Sequence, residues 1–297
     1  MKKALTLGVT ASLFFSLTFI LNKTMNLSGG NWMWSSSLRF ILMLPLLSLI
    51  VIKNGRFKLL LKSINKHKTS WLIWSTVGFG LFYAPLTFAS NYGESWLVAG
   101  CWQITIIFGI LLTPIFKNKL PIKNLIFSFI ILIGIFMIQY ENSTKLNFGQ
   151  VFLSIFPISI AAISYPLGNR KMMQICSDDL SSTERVLGMT ICSLPFWILM
   201  SLFAYKDVGL PSSMQVFQSF SVAIFSGIIA TILFFKATTI VKDDPKKLAV
   251  IEATQSGEVI FTLILEIIFL SSTLPGIIGF IGLILIIFGM VINSIIK

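Results

Sequence analysis

Apolar residues run in ten long stretches along this chain, divided by short polar segments. In order they cover Ala4–Leu21, Trp34–Ile52, Trp71–Ser90, Leu97–Phe116, Asn124–Tyr140, Val151–Gly168, Val186–Tyr205, Phe220–Ile240, Leu248–Leu270 and Pro275–Ile296. The runs are continuous rather than alternating, which predicts helices and not barrel strands. Each approaches the ~20 residues a helix needs to cross a bilayer. The pattern predicts an all-α polytopic membrane protein with ten transmembrane helices. The first stretch follows Met1-Lys2-Lys3 and so also has the form of a secretory signal. No small-x-small cleavage site follows it, and it is read as a span.

The positive charges give the orientation. Of 23 Lys and Arg residues, 18 fall in the two termini and in alternate gaps, with Lys53, Arg56, Lys58, Lys62, Lys66 and Lys68 in one loop. Loops rich in Lys and Arg stay on the cytoplasmic side. Both termini are therefore expected in the cytoplasm, with the chain in the cell membrane. The same bias accounts for the net charge of +12, so no nucleic-acid partner is needed. A 55% hydrophobic composition and mean hydropathy of +0.88 exceed those of a soluble domain. The connecting segments leave no room for one. Trp32, Trp34, Trp71 and Trp96 fall at span ends, where aromatic belts meet headgroups.

Five spans precede the polar gap Glu141–Gln150 and five follow it. Five is odd, so the second set must enter the membrane from the opposite side. This predicts two inverted five-helix repeats, residues 1–141 and 142–297, with substrate held between them. Weak sequence echoes agree. Lys119-Leu120-Pro121 opens the fifth span and Thr273-Leu274-Pro275 the tenth, and Gly134 and Gly289 follow at similar distances. Gly276, Gly279 and Gly282 form a ridge of small residues suited to close packing within the chain or between two chains.

Five charged residues lie inside spans: Arg39, Lys236, Glu252, Glu258 and Glu266. Intramembrane charges cost roughly 2.5–3.5 kcal/mol on insertion scales and usually face a cavity or a partner. At 100° per residue, Glu252, Gln255, Glu258, Thr262 and Glu266 fall within an arc of about 120° on the ninth span. That stripe is expected to line a watery path. Glu258 is nearest mid-membrane, Glu252 lies toward the cytoplasmic end, and Glu266 lies toward the outer end, within reach of headgroups. Burial penalises the charged form of a carboxyl. Competition between a proton and a substrate for one such group suffices to couple their movements. Glu258 and Glu252 are thus the candidate proton-coupling residues. Arg39, Tyr83, Trp102, Gln103, Gln255 and Glu258 are candidates for substrate contact. Arg39 could serve an anionic group or a neighbouring acid, while Tyr83 and Trp102 could hold an organic cation on their ring faces. Lys236 is expected to snorkel toward the inner surface.

The single His67 and three scattered cysteines make no metal or redox pattern. No nucleotide-binding or hydrolase motif is present. Neither an enzyme nor a cofactor is indicated.

Ser37-Leu38-Arg39-Phe40 in the second span and the Gly-rich last span resemble the drug/metabolite transporter superfamily. Gly93–Ala99, Trp102–Thr105 and Glu252–Val259 resemble its ten-span multidrug-resistance efflux transporter (EmrE-like) family. The resemblance implies an exporter of small molecules working by alternating access. The small four-span members of that group carry an essential Glu in their first span. Here the first and sixth spans hold no acid, so that proton site has no counterpart and the ninth-span acids must supply it. The sequence is therefore read as a secondary transporter exporting a small organic molecule, drug or metabolite, in exchange for protons. The expected partners are that substrate, protons and membrane lipid, with the chain a monomer or homodimer. Two alternatives are a facilitator or importer of a metabolite such as an amino acid or choline, and a subunit of a lipid-carrier flippase.

Overall fold

A computed structural model describes residues 1–117, 119–143, 148–176, 180–241, 244, 247, 250, 251, 253–270 and 274–295. The described residues form helices and connecting turns. We number the helices α1 (Lys2–Leu27), α2 (Trp32–Lys53), α3 (Phe57–Lys66), α4 (Lys68–Ala89), α5 (Ser95–Leu111), α6 (Ile122–Ser143), α7 (Phe148–Ile175), α8 (Ser182–Val208), α9 (Ser213–Ile240), α10 (Ser256–Leu270) and α11 (Ile277–Ile295).

Seven of them are long and apolar enough to cross a membrane: α1, α2, α4, α6, α7, α8 and α9. The α5 and α11 helices are apolar but shorter, and α10 has 15 residues. The chain is a multi-pass, all-helical membrane protein. Its outer surface is apolar in stripes. Ile126, Phe129, Ile133, Phe136 and Tyr140 are all exposed on α6, at the three- and four-residue spacing of a single helix face. Such a face needs lipid rather than water as its solvent.

Helix starts follow local chemistry. Asn31 Oδ1 accepts from Met33 N at 2.8 Å, and Ser181 makes a capping box with Glu184. Pro45 and Pro195 each lie fourteen positions beyond those caps, in α2 and α8, and these two helices pack on each other. A π-turn interrupts α4 at Thr76–Gly80, and another interrupts α9 at Ala223–Ala230. The remaining pairings are as regular. The α6 helix packs along α11, α4 on α7, α1 on α9, and α5 on α10.

The contact of α6 with α11 is made by glycine. A Cβ on Gly134 would stand 2.6 Å from the Gly282 carbonyl oxygen, and one on Gly282 would stand 2.8 Å from that of Gly134. The small-residue ridge of the last span is thus spent within the chain. Gly276 and Gly279 lie against Glu141, which accepts from their backbone N–H groups at 2.8 and 2.6 Å.

Three expectations require correction. The basic loop after α2 contains a helix, α3, with Leu60 buried and Lys58, Lys62 and Lys66 exposed. Its apolar positions recur with helical rather than bilayer-spanning length, which a search for spans passes over. The tryptophans read as a headgroup belt are mostly core residues: Trp34, Trp71 and Trp96 are buried. Trp71 sits in a slot left by Gly188, where a Cβ would come within 2.4 Å of its ring, and Trp34 Nε1 donates to the Gly209 carbonyl. The ninth stretch is not one α-helix either. Residues Ala253–Gln255 form a 3-10 turn before α10 begins. The Thr254 hydroxyl donates back to the Ile251 carbonyl at 2.6 Å, the local competition by which Thr and Ser loosen helices.

Candidate functional site

The polar stripe of the ninth stretch faces inward. Gln255, Glu258, Thr262 and Glu266 are all buried. Their environments differ. Glu266 accepts from the backbone N–H groups of Ser95 at 2.9 Å and Trp96 at 2.8 Å. It therefore caps the N-terminus of α5, satisfying donors that a helix start leaves free. The expectation that Glu266 reaches headgroups is overturned, because its best partners are those two amides inside the protein. Glu252 lies outside the described residues.

Glu258, in the first turn of α10, opens on a central cavity. Arg39, Phe40 and Met43 of α2 share its wall, as do Thr18 of α1, Trp102 of α5, Tyr165 of α7, Ser226 of α9, and Gln255. In this conformation about 40 Å³ is open to the centres of water-sized molecules. That is room for a few waters, well short of a drug-sized ligand.

Arg39 is 4% exposed. Its Nη2 donates to Ser226 Oγ at 3.1 Å, and Ser226 is in turn hydrogen-bonded to Thr18. Its guanidinium lies 4.1 Å from the Tyr83 ring centroid, within cation–π range. The Nε of Arg39 has no partner among the described residues. Neither Arg39 nor the Glu258 carboxylate joins an ion pair among the described residues.

An aromatic cluster forms one wall. Phe82 lies 5.1 Å from Trp102 and 4.8 Å from Tyr165, and Trp102 lies 5.6 Å from Tyr165, between ring centroids. Of the residues expected to touch substrate, Arg39, Trp102, Gln255 and Glu258 line the cavity together. Tyr83 sits behind the wall, under Arg39, with its hydroxyl donating to Asn22 Oδ1 at 3.0 Å. Gln103 is fully buried outside the lining, where its amide donates to the Ala99 carbonyl at 3.1 Å. Lys236 is exposed.

Sequence reasoning passed over Ser226, Thr18 and Tyr165. Single hydroxyls and a lone tyrosine in apolar helices carry little signal. Only Ser226-Gly227 could have drawn notice, since Gly227 lets Met43 of α2 approach the backbone of α9.

A family profile described as "EmrE: Putative multidrug resistance efflux transporter" matches residues 2–297. The chain is 50% identical to "Uncharacterized protein YjlA" of Bacillus subtilis (strain 168), over 98% of this chain and 94% of that protein. It is 44% identical to an "Uncharacterized 42.1 kDa protein in intracellular alkaline protease 3'region" of Shouchella clausii, over 86% of this chain and 70% of that protein. A solved structure described only as "Crystal structure of protein" superposes with a TM-score of 0.66 at 11% identity, covering 98% of this chain and 96% of that one. At that identity the likeness concerns the fold alone.

Proposed function

The chain belongs to the multidrug resistance efflux transporter family, a family of transporters and not enzymes, and from that premise we propose that it exports a small organic molecule in exchange for protons. Substrate binds in the central cavity, and the protein alternates the side to which that cavity opens. The observation that carries this reading is Glu258, a buried carboxyl on the cavity wall with no ion-pair partner among the described residues. A proton and a cationic group compete there. Whichever binds excludes the other, and the exclusion couples their flows. Trp102, Tyr165 and Phe82 offer ring faces to the same ligand.

The two-repeat architecture accompanies this proposal. Ten spans arise when α5, α10 and α11 cross the membrane beside the seven longer helices, and α3 lies at the inner surface. Taking α1, α2, α4, α5 and α6 as one repeat and α7 to α11 as its inverted mate accounts for several pairings at once. It matches α2 with α8, α5 with α10, and α6 with α11, each helix packed on its own counterpart. It matches the two prolines, and it matches the π-turns of α4 and α9. π-turns collect at functional sites, and these two flank the cavity through Phe79 and Ser226. They are the natural places for one repeat to rock against the other.

The test is flux of a fluorescent organic cation in sealed vesicles holding the purified chain. Flux should follow an imposed pH gradient and collapse when the gradient is dissipated. Equal flux with and without the gradient would favour the facilitator reading instead.

A further inference from the structure

We infer that the cavity is built for a zwitterion, a small molecule carrying an anionic and a cationic group on a flat apolar body. This rests on the transport reading above and specifies its substrate. Two side chains of opposite formal charge open on one small cavity, and each is more than nine-tenths buried: Arg39 at 4% and Glu258 at 3% exposure. No ion pair joins either to any described residue. Burying a guanidinium and a carboxyl beside one cavity without joining them is costly, and direct pairing would lower that cost. An arrangement that holds them apart is explained when a ligand supplies both missing partners.

The surroundings fit each end of such a ligand. Arg39 is held from behind, with the Tyr83 ring 4.1 Å away and Ser226 on Nη2. Its planar fork is thus positioned before any ligand arrives, and guanidinium suits a carboxylate or another planar oxyanion. Ser226 and Thr18 add hydroxyls to the same end of the wall. Glu258 offers a carboxylate for an ammonium, and the Phe82–Trp102–Tyr165 cluster offers faces to a flat ring. A purely cationic ligand would still meet Glu258 and the ring faces but would leave Arg39 without a partner and so bind more weakly, and a purely anionic one would leave Glu258 without a partner.

The test uses the intact chain in nanodiscs and two matched probe sets. Each consists of a zwitterion (phenylalanine or 4-(aminomethyl)benzoate), its methyl ester with only the positive charge, and its N-acetyl derivative with only the negative charge. Thermal stabilisation and tryptophan fluorescence report binding. In at least one set the zwitterion should bind about tenfold or more tighter than both singly charged forms. Arg39→Gln should abolish that preference over the ester, and Glu258→Gln should abolish it over the N-acetyl form. The wild-type series stands even if a variant misfolds. In both sets, either singly charged form binding within about tenfold of the zwitterion overturns the inference, and so does no binding by any probe. Flux of the organic cation along a pH gradient is measured separately, so export can survive when the zwitterion does not.

Discussion

Arg39 and Glu258 line one cavity from α2 and α10 without forming an ion pair. Had they paired, each would have neutralised the other and the cavity would have been a structural core. Held apart, they stay available to a proton and a ligand. The energetic cost of that separation is the reason to expect function at the site.

Glu258→Gln should leave the fold intact and change the coupling. The amide keeps the shape and removes a buried acid that has no ion-pair partner among the described residues. Its melting temperature should match or slightly exceed that of the parent chain, since burying an ionisable carboxyl without a partner is costly. Transport in vesicles should lose its response to the pH gradient. Full retention of that response would remove Glu258 from the mechanism.

Glu266→Ala should do the reverse, harming stability first. It withdraws the cap from the Ser95 and Trp96 amides and leaves buried donors unsatisfied. The expected loss is about 1–3 kcal/mol, read as a lower melting temperature. In protein that remains folded, the pH dependence of flux should be unchanged.

Gly282→Val should separate α6 from α11. The Gly134 carbonyl stands where the new Cβ would go, at 2.8 Å. Overpacking of this kind costs about 1–3 kcal/mol. Gly55→Ala is not an equivalent control, because its φ of +67° strains any side chain. Leu210→Ala, at an exposed loop residue, should be neutral in the same assay.

The positive-inside pattern predicts the loop after α2 in the cytoplasm and the loop after α8 outside. Single cysteines at Asn54 and Leu210, both exposed, test this once Cys101, Cys176 and Cys192 are replaced. A membrane-impermeant maleimide applied to whole cells should label Leu210→Cys and spare Asn54→Cys. The opposite labelling would invert the topology.

Much of this was legible from the chain itself. Hydropathy is a property of consecutive residues, so the helical membrane class and the approximate position of each stretch could be read directly. The inward turn of the polar stripe was legible too, because Gln255, Glu258, Thr262 and Glu266 share a helical face. The amphipathic α3 escaped, since a ten-residue helix whose apolar residues are interspersed with lysines looks like a loop when spans are sought. The buried tryptophans escaped because the slot for Trp71 is made by Gly188, more than a hundred positions away.

Glu258 and Glu266 mark the boundary between the two kinds of knowledge. They are the same residue type, two turns apart on one face of one helix. Their sequence context marks both as acids that must be answered for inside a membrane. Tertiary structure alone decides that one closes the start of α5 while the other opens on a cavity beside Arg39. Partition into lipid is local and summed along the chain. The fate of a buried charge depends on which atoms stand opposite it, and distant segments bring those atoms.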